Sequence, residues 1–328
     1  MNVSSGFDEA YKVKGMFGYM HSDVAPEVIL RPKADILSFI PDNVLTLALP
    51  VVAYWALSLI FHSIDVLHLA EKYRIHPSAE VAARNRVGRI EVLCEVLFQH
   101  IVQSVVGFVT QIWDTPPMTG YEERALWKWR QYLPSSIPDA AIYVGYMYGF
   151  SAVKLLVGFT FIDTWQYWLH RLMHTNSTLY RMFHSRHHRL YVPYAYGALY
   201  NAPVEGFLLD TLGTGIAMII TSLSYREQMV LYTFATLKTV DDHCGYALPW
   251  DPFQFFFPNN AVYHDIHHQN FGIKTNYAQP FFTFWDTLFG TYFKGFEDYQ
   301  KAQRRVTIDQ YKKFLDERKK KSQPGKTE

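Results

Sequence analysis

The sequence concentrates its histidines in three short motifs. Nine of the 14 histidines lie between residues 170 and 268, and eight of these belong to the motifs HRLMH, HSRHH and HDIHH. In chain order they are His170, His174, His184, His187, His188, His264, His267 and His268. Residues spaced i, i+3 and i+4 share one face of a helix, so we expect each motif to direct its rings to one point. Because imidazole binds Zn, Cu, Fe and Ni, the spacing predicts a metal site with catalytic potential.

The number of histidines indicates more than one ion. Eight imidazoles are too many for a single ion, whereas two ions with about four histidines each, or with positions open to water and O2, account for them. His243, alone in DDHCGY, is predicted as a ninth metal ligand. We interpret His62, His68, His76 and His100 as structural. A basic surface for lipid headgroups is the alternative to a metal site, but it would not need the i, i+3, i+4 spacing.

Long apolar stretches predict the elements that position these motifs. The chain is 49% hydrophobic, and residues 44–61, 96–113 and 140–162 are each long enough to cross a bilayer as a helix. Two shorter apolar pieces around SYRE, within residues 203–239, are typical of a shallow or re-entrant hairpin. The predicted fold is an all-α, polytopic membrane helical bundle with a cytosolic, histidine-rich helical cap that holds a dinuclear metal centre.

The chain is predicted to have four parts. They are an N-terminal segment (1–43), a transmembrane region (44–169), a catalytic histidine region that includes the hairpin (170–308) and a charged, solvated, partly disordered tail (309–328).

Charge indicates both the partners and the orientation of the chain. The net charge is +1, which gives no reason to expect nucleic acid as a partner, and two cysteines far apart in sequence predict no disulfide. The loop 62–90 carries five Lys and Arg residues, whereas 114–138 carries three. Because cytoplasmic loops are enriched in Lys and Arg, the histidine motifs should face the cytosol and the N-terminus the lumen.

The motifs also resemble a known family. HxxxH, HxxHH and HxxHH after several membrane spans are similar to the fatty acid hydroxylase and sterol desaturase superfamily, whose members are membrane oxidases with histidine-bound iron. Within it, DTWQYWLHRLMH, FHSRHHRLYVPYAYGALYNAPVEG and VYHDIHHQNFGIKTN resemble the fungal type of sphinganine C4-hydroxylases, and the similarity is dense over residues 139–307. One departure is at Ala202, where many relatives have the histidine of a His-Pro-x-Glu motif.

The resemblance implies a specific activity and cofactor. It implies that two non-haem Fe ions, held by the eight motif histidines, use O2 to hydroxylate C4 of sphinganine or dihydroceramide in the endoplasmic reticulum membrane. It also implies that electrons come from cytochrome b5 and its NADH-dependent reductase. The chain has no His-Pro-Gly-Gly haem signature, so this donor should be a separate protein.

Carboxylates near the motifs are candidates to orient the ligands. Asp163 and Tyr167 share the helical face of His170 and His174, so Asp163 could accept a hydrogen bond from a ligand ring. Asp241, Asp242 and Asp265 are candidates because they adjoin the histidines in sequence.

The chemistry supports iron, and three functions stay open. Oxidation of an unactivated C–H bond needs a redox centre, which zinc does not provide, and the chain lacks a dinucleotide-binding glycine motif. The alternatives are a sphingoid C4-hydroxylase, which the resemblance favours, another oxidase of the family acting on sterols or acyl chains, and a non-catalytic membrane protein with structural zinc.

Overall fold

The fold is a bundle of long apolar helices with short helices at one end. The computed structural model describes residues 15–322, and four helices in that range are long and apolar enough to cross a membrane. They span Asp42–Val66, Arg89–Gln111, Asp139–Thr175 and Pro203–Thr221. The first three contain most of the predicted spans and extend beyond them. The prediction of a helical, multi-pass membrane protein is thus confirmed.

The elements follow one another with little β structure. Within residues 15–322 the helices are α1 (Asp42–Val66), α2 (Ser78–Arg84), α3 (Arg89–Gln111), α4 (Glu122–Tyr132), α5 (Asp139–Thr175), α6 (Ser177–Met182), α7 (Pro203–Thr221), α8 (Tyr225–Asp242), α9 (Pro252–Phe256), α10 (Ala261–His268), α11 (Phe284–Leu288) and α12 (Phe296–Ser322). Four 3₁₀ helices span Gly18–His21, Glu71–Tyr73, His184–Arg189 and Ala195–Gly197. Strands β1 (Arg31–Pro32) and β2 (Met118–Thr119) pair antiparallel, with Arg31 opposite Thr119.

Apolar side chains cover the outside of the long helices. Leu59, Phe98, Ile101, Val153 and Leu156 are among the large hydrophobic residues that are exposed. A soluble protein rarely exposes such a continuous apolar surface, whereas a bilayer favours it. The outer face of the bundle therefore fits a lipid environment.

The sequence predicts a shallow or re-entrant hairpin, and α7 and α8 form a hairpin that is not shallow, since α7 is long and apolar enough to cross a membrane. Its turn lies at the end of the bundle where α1 begins and α3 ends. There Arg226 Nε donates to Asp42 Oδ2 (2.9 Å) and Tyr225 OH to Asp114 Oδ2 (2.9 Å). The apolar pieces in the sequence are too short to predict this depth. The reason is that α8 packs along α1 and therefore needs less apolar surface than a helix exposed to lipid.

The C-terminal region also differs from the prediction. Residues 309–322 of the predicted partly disordered tail continue α12, and residues 323–328 lie outside the described range. The side chain of Thr307 is buried and donates to the carbonyl oxygen of Arg74 (2.9 Å). This contact fixes α12 against the loop between α1 and α2.

Candidate metal centre

Four structural elements bring all nine predicted histidines together. His170 and His174 lie in the last turns of α5, and the HSRHH motif forms a 3₁₀ helix rather than the α-helix that was expected. The HDIHH motif lies in α10, whose first turn is capped by Asn260 Oδ1, an acceptor for the backbone N–H groups of Val262 and Tyr263. His243 follows the last residue of α8.

The histidines form two groups. Within each group, the ligand nitrogen atoms, one from each ring, all lie within 4.8 Å of one another. The first group, hereafter group A, consists of His170, His174, His184, His188 and His267. The second, group B, consists of His187, His243, His264 and His268.

Each HxxHH motif contributes to both groups, which corrects the expectation that a motif converges on one point. The i and i+4 residues of HSRHH belong to group A, and its i+3 residue His187 belongs to group B. In HDIHH, the i and i+4 residues belong to group B, and the i+3 residue His267 belongs to group A. On a helix the i+3 and i+4 side chains project about 100° apart. When two such motifs face each other, the i+3 ring of each motif can therefore lie in the group that contains the i and i+4 rings of the other motif.

Four nitrogen atoms of group A form a closed ring. His170 Nε2 lies 3.0 Å from His184 Nε2 and 3.2 Å from His174 Nε2, and His188 Nε2 lies 3.0 and 3.2 Å from the same two atoms. In group B, His264 Nε2 lies 3.0 Å from both His243 Nε2 and His268 Nε2. The centre of a square with such edges is about 2.2 Å from each corner, close to the ~2.0–2.1 Å of a metal–imidazole bond.

The outward-facing nitrogen atoms fix the tautomer of several rings. Four Nδ1 atoms lie 2.8–3.1 Å from backbone carbonyl oxygens, which only accept hydrogen bonds. The pairs are His170 with Tyr277, His187 with Tyr200, His243 with Thr239 and His267 with Thr275. A neutral ring that donates from Nδ1 carries a lone pair on Nε2, so these rings present metal-binding atoms to the interior.

This arrangement is suited to bind cations. The lone pair of His170 Nε2 faces neighbouring imidazole nitrogens, and the Nε2 atoms of His187 and His267 are buried without a hydrogen-bond partner among residues 15–322. Unpaired buried polar atoms are costly, and one metal ion in each group would satisfy those of that group. The residues therefore fit metal ions well.

The protonation state also favours metal binding. Burial away from water lowers the pKa of His187 to about 4, and it lowers the pKa of His243 and of His267 to about 3. Metal ligation needs neutral imidazole, so the surroundings keep these side chains in the required form near neutral pH.

The two groups are neighbours. The ring centroid of His268 lies 4.6 Å from that of His187, within group B, and 4.9 Å from that of His188 in group A. Rings of different groups are therefore as close as rings of the same group. Two ions held in this way would lie side by side in one centre.

Two of the predicted orienting residues do not contact the ligands. The carboxylate of Asp163 accepts hydrogen bonds from the backbone N–H groups of Phe281 and Phe282 (both 2.9 Å), and the Tyr167 hydroxyl lies 3.2 Å from Thr291 Oγ1. Backbone carbonyls take the role expected of Asp163, since His170 Nδ1 faces Tyr277 O. Helical spacing placed Asp163 on the correct face but did not reveal the loop that binds it.

The aspartates next to the motifs hold neighbouring elements in place. Asp242 pairs with Lys238, whose Nζ also donates to Asn259 O (2.8 Å) just before α10. Asp265 Oδ1 lies 2.9 Å from His76 Nε2, and its Oδ2 accepts from Tyr299 OH (2.6 Å). Asp265 thus fixes the ligand-bearing helix α10 between the α1–α2 loop and α12. His76 supports α10 through this contact.

Sequence reasoning assigned no role to Glu205. This side chain is completely buried, and one of its carboxylate oxygens contacts Nδ1 of His184. The sequence marks the position as the glutamate of the His-Pro-x-Glu motif, whose histidine is replaced here by Ala202. Such a residue in a membrane helix is expected to have a partner, and here the partner is a predicted metal ligand.

Two cavities adjoin the centre. The smaller, of about 30 Å³, is lined by histidines of both groups and by Glu205 and Asp242. The larger, of about 180 Å³, lies between α1, α3, α5, α7 and α8. Gln166, Asp210, Thr239 and Pro280 line both. A long-chain molecule could therefore extend from among the membrane helices to the histidines.

Comparisons with known proteins agree with the geometry of the site. The family model described as fatty acid hydroxylase matches residues 155–291. The chain is 67% identical to the sphingolipid C4-hydroxylase of Saccharomyces cerevisiae, covering 97% of this chain and 93% of that protein. It is 44% identical to the sphingolipid C4-hydroxylase of Schizosaccharomyces pombe (79% and 92% covered) and 42% identical to sphinganine C4-monooxygenase 1 of Arabidopsis thaliana (77% and 88% covered). No solved structure matches the chain.

Proposed function

The chain belongs to the fatty acid hydroxylase family and is an oxidoreductase of the membrane, and from this premise we propose that it hydroxylates C4 of a sphingoid base. The substrate is sphinganine or dihydroceramide, and the product is phytosphingosine or phytoceramide. The three relatives described above bear the names sphingolipid C4-hydroxylase and sphinganine C4-monooxygenase, whereas a 39% identical relative of Oryza sativa that matches over 77% of this chain bears the name very-long-chain aldehyde decarbonylase.

The observation that carries the proposal is the pair of adjoining histidine groups. Group A would hold one iron ion and group B a second, and the nine side chains of the two groups are the proposed metal ligands. Iron bound there supplies the redox chemistry with O2 that side chains lack, whereas zinc does not change oxidation state. The protein's own contribution is to fix the rings through carbonyl oxygens and Glu205.

The overall reaction balances with two electrons from outside. The C–H bond at C4 is broken and a C–O bond is formed, so one oxygen atom of O2 enters the product as a hydroxyl group. The other oxygen leaves as water, which takes up two protons and two electrons. No residue described here stores such a pair of electrons, and an external donor is therefore part of the proposal.

Lipid analysis of cells tests the activity. When the chain is expressed in cells that lack their own C4-hydroxylase, we expect 4-hydroxylated sphingoid bases to appear. Mass spectrometry of hydrolysed lipids measures them, and free and N-acylated pools reveal which form accumulates first. Oxidised sterols or acyl chains without any 4-hydroxylated base would contradict the proposal.

The proposed electron donor is cytochrome b5 with its NADH-dependent reductase. We expect purified protein with NADH and O2 alone to be inactive, and addition of cytochrome b5 and reductase to restore product formation. Arg181 is exposed and has no ion-pair partner among the described residues, whereas Arg186 pairs with Glu95 (2.6 Å) and Arg189 with Glu91 (3.4 Å). Arg171 is only partly exposed and donates to Tyr167 OH (3.0 Å), so of the four arginines Arg171, Arg181, Arg186 and Arg189 we expect an acidic donor to dock near Arg181.

Salt provides the control for this prediction. Electrostatic docking weakens as ionic strength rises, so the donor-dependent rate should fall with added salt, and Arg181→Ala should weaken this dependence. Full turnover without an added donor would overturn the proposal.

The proposed location is the endoplasmic reticulum membrane, with the histidine groups cytosolic. Asn176 is exposed in the sequon NST, next to the last turn of α5, and on a luminal surface it would be a candidate for glycosylation. We expect it to stay unmodified, whereas Pro117→Asn, which completes a sequon with the partly exposed Thr119, should be glycosylated. Endoglycosidase-sensitive mobility shifts measure both. A glycan on Asn176 would place the histidine groups on the luminal side and would contradict the proposed orientation.

A further inference from the structure

An unpaired carboxylate, that of Asp210, lines both of the cavities that adjoin the metal centre. Asp210 Oδ1 accepts a hydrogen bond from Gln166 Nε2 (3.2 Å), but Asp210 Oδ2 is buried and has no hydrogen-bond partner among residues 15–322. A carboxylate in a membrane helix is costly unless it is paired, so this oxygen calls for a hydrogen-bond donor that the chain itself does not supply.

The local backbone is shaped around this residue. Asp210 lies in a π-helical segment of α7, Phe207–Leu212, and such segments are often found at functional sites. Side chains bind the backbone of this segment: Trp165 Nε1 donates to Leu208 O (2.9 Å), and Thr214 Oγ1 donates to Asp210 O. The wide turn is therefore supported by Trp165 from α5 and by Thr214 from within α7, and Asp210 lines both cavities.

A second unpaired polar group lines the larger cavity. His100 on α3 is only 6% exposed, and neither ring nitrogen has a hydrogen-bond partner among the described residues. Its ring packs edge-on against Tyr54, with centroids 4.8 Å apart. The interpretation of His100 as purely structural therefore leaves both nitrogen atoms unexplained. Among the described residues, the cavity thus offers three polar side chains with unpartnered atoms, those of Asp210, His100 and Thr211.

These features match the polar end of a long-chain amino alcohol. In the proposed substrate, the hydroxyl and nitrogen groups on C1 to C3 adjoin the carbon that is oxidised, so their binding site must adjoin the metal centre. Asp210 meets this condition, because it lines the small cavity together with His184, His187 and His264. The larger cavity follows α3 from His100 to Thr110, about 15 Å of helix, which suits the alkyl chain.

We propose that Asp210, held by Gln166 and assisted by His100, accepts hydrogen bonds from the N–H and O–H groups of the substrate head and thereby selects C4 as the carbon that is hydroxylated. This inference rests on the proposed function and adds the residue that determines substrate class and position. Free bases and N-acylated bases share the required donors, and the experiment separates them.

The decisive variant is Asp210→Asn. Asparagine keeps the shape and can keep the bond to Gln166 through its oxygen, but it places an NH2 group where the substrate's donors need an acceptor. With purified protein and its electron donor, we expect KM for sphinganine to rise by about 10- to 100-fold, as for the loss of a hydrogen bond from a charged group, here the ammonium group of sphinganine. Hydroxylation should also occur at carbons next to C4, because the alkyl chain of the substrate is no longer held at one position relative to the metal centre.

Substrate analogues and a control variant make the test specific. The effect of Asp210→Asn should shrink for 3-deoxysphinganine, which lacks one donor, and N-acetylsphinganine shows whether the amide N–H replaces the amine. Asp298→Asn, the same change at an exposed position of α12, should leave KM and position unchanged. Asp210→Ala, measured for membrane level and metal content, provides a second variant if the first folds poorly.

The outcomes separate this inference from the proposed function. If the wild type makes no 4-hydroxylated base, the proposed function itself is wrong. If the wild type makes it, and Asp210→Asn keeps the same KM and hydroxylates only C4, the inference is wrong and the function stands. A lower kcat with unchanged KM and position would assign Asp210 to proton delivery and would also contradict the inference.

Discussion

Replacing His187 or His267 with alanine is expected to abolish formation of 4-hydroxylated sphingoid bases. Loss of a residue that merely supports a ligand costs about 10- to 100-fold, so loss of a ligand itself should cost more than about 100-fold. Both side chains are buried, and both Nε2 atoms have no other partner in the described chain. Lipid mass spectrometry measures the product, and immunoblotting of membranes measures the amount of protein.

Two comparisons make this result interpretable. His62→Ala removes a partly exposed imidazole outside both groups and should retain most activity. Since His187 belongs to group B and His267 to group A, equal losses in both variants indicate that both groups are needed. If both variants keep most of the product at normal protein level, the histidine motifs are not the catalytic centre.

Replacing Glu205 with alanine is expected to lower activity, and the affinity of group A for its metal ion, by about 10- to 100-fold. Glu205 contacts Nδ1 of His184, so its loss frees one ring of group A to rotate away from the metal. Glu205→Gln keeps an acceptor oxygen on the same stem and should give an intermediate loss. Metal analysis of the purified variants, together with turnover, measures both effects.

The matched control for this prediction is Glu297→Ala, which removes the same type of side chain from the exposed surface of α12. It should change neither metal content nor turnover. Wild-type metal content and activity in Glu205→Ala would show that the ring of His184 needs no carboxylate, and the role assigned to Glu205 would be wrong.

Local periodicity made much of the site predictable. The i, i+3 and i+4 spacing is a local property of a helix, so the motifs identified eight of the nine residues that the structure brings together. Uninterrupted apolar length likewise predicted α1, α3 and α5, because a bilayer demands about 20 apolar residues in one segment. Even the lone His243 lies in group B, although its sequence context carried little signal.

Tertiary contacts account for what the sequence left open. His187 lies in group B and His267 in group A because the HSRHH and HDIHH motifs face each other in the fold, and this arrangement is not a property of either motif alone. The partners of Asp163 and Glu205 are distant in sequence, at residues 281 and 184, and no spacing rule connects them. The depth of the α7–α8 hairpin follows from contacts such as Arg226 with Asp42, which a hydropathy pattern does not contain.

The central claim is that the two histidine groups hold an iron centre that inserts oxygen from O2 at C4 of a sphingoid base. The most direct test is to supply ¹⁸O2 to purified, fully active protein with its electron donor, and to determine both the iron content per chain and the isotope at C4. We predict two iron ions per chain, one for each histidine group, and one ¹⁸O atom in the new hydroxyl group. Full activity with one ion or none, or a C4 hydroxyl without the label, would contradict the account.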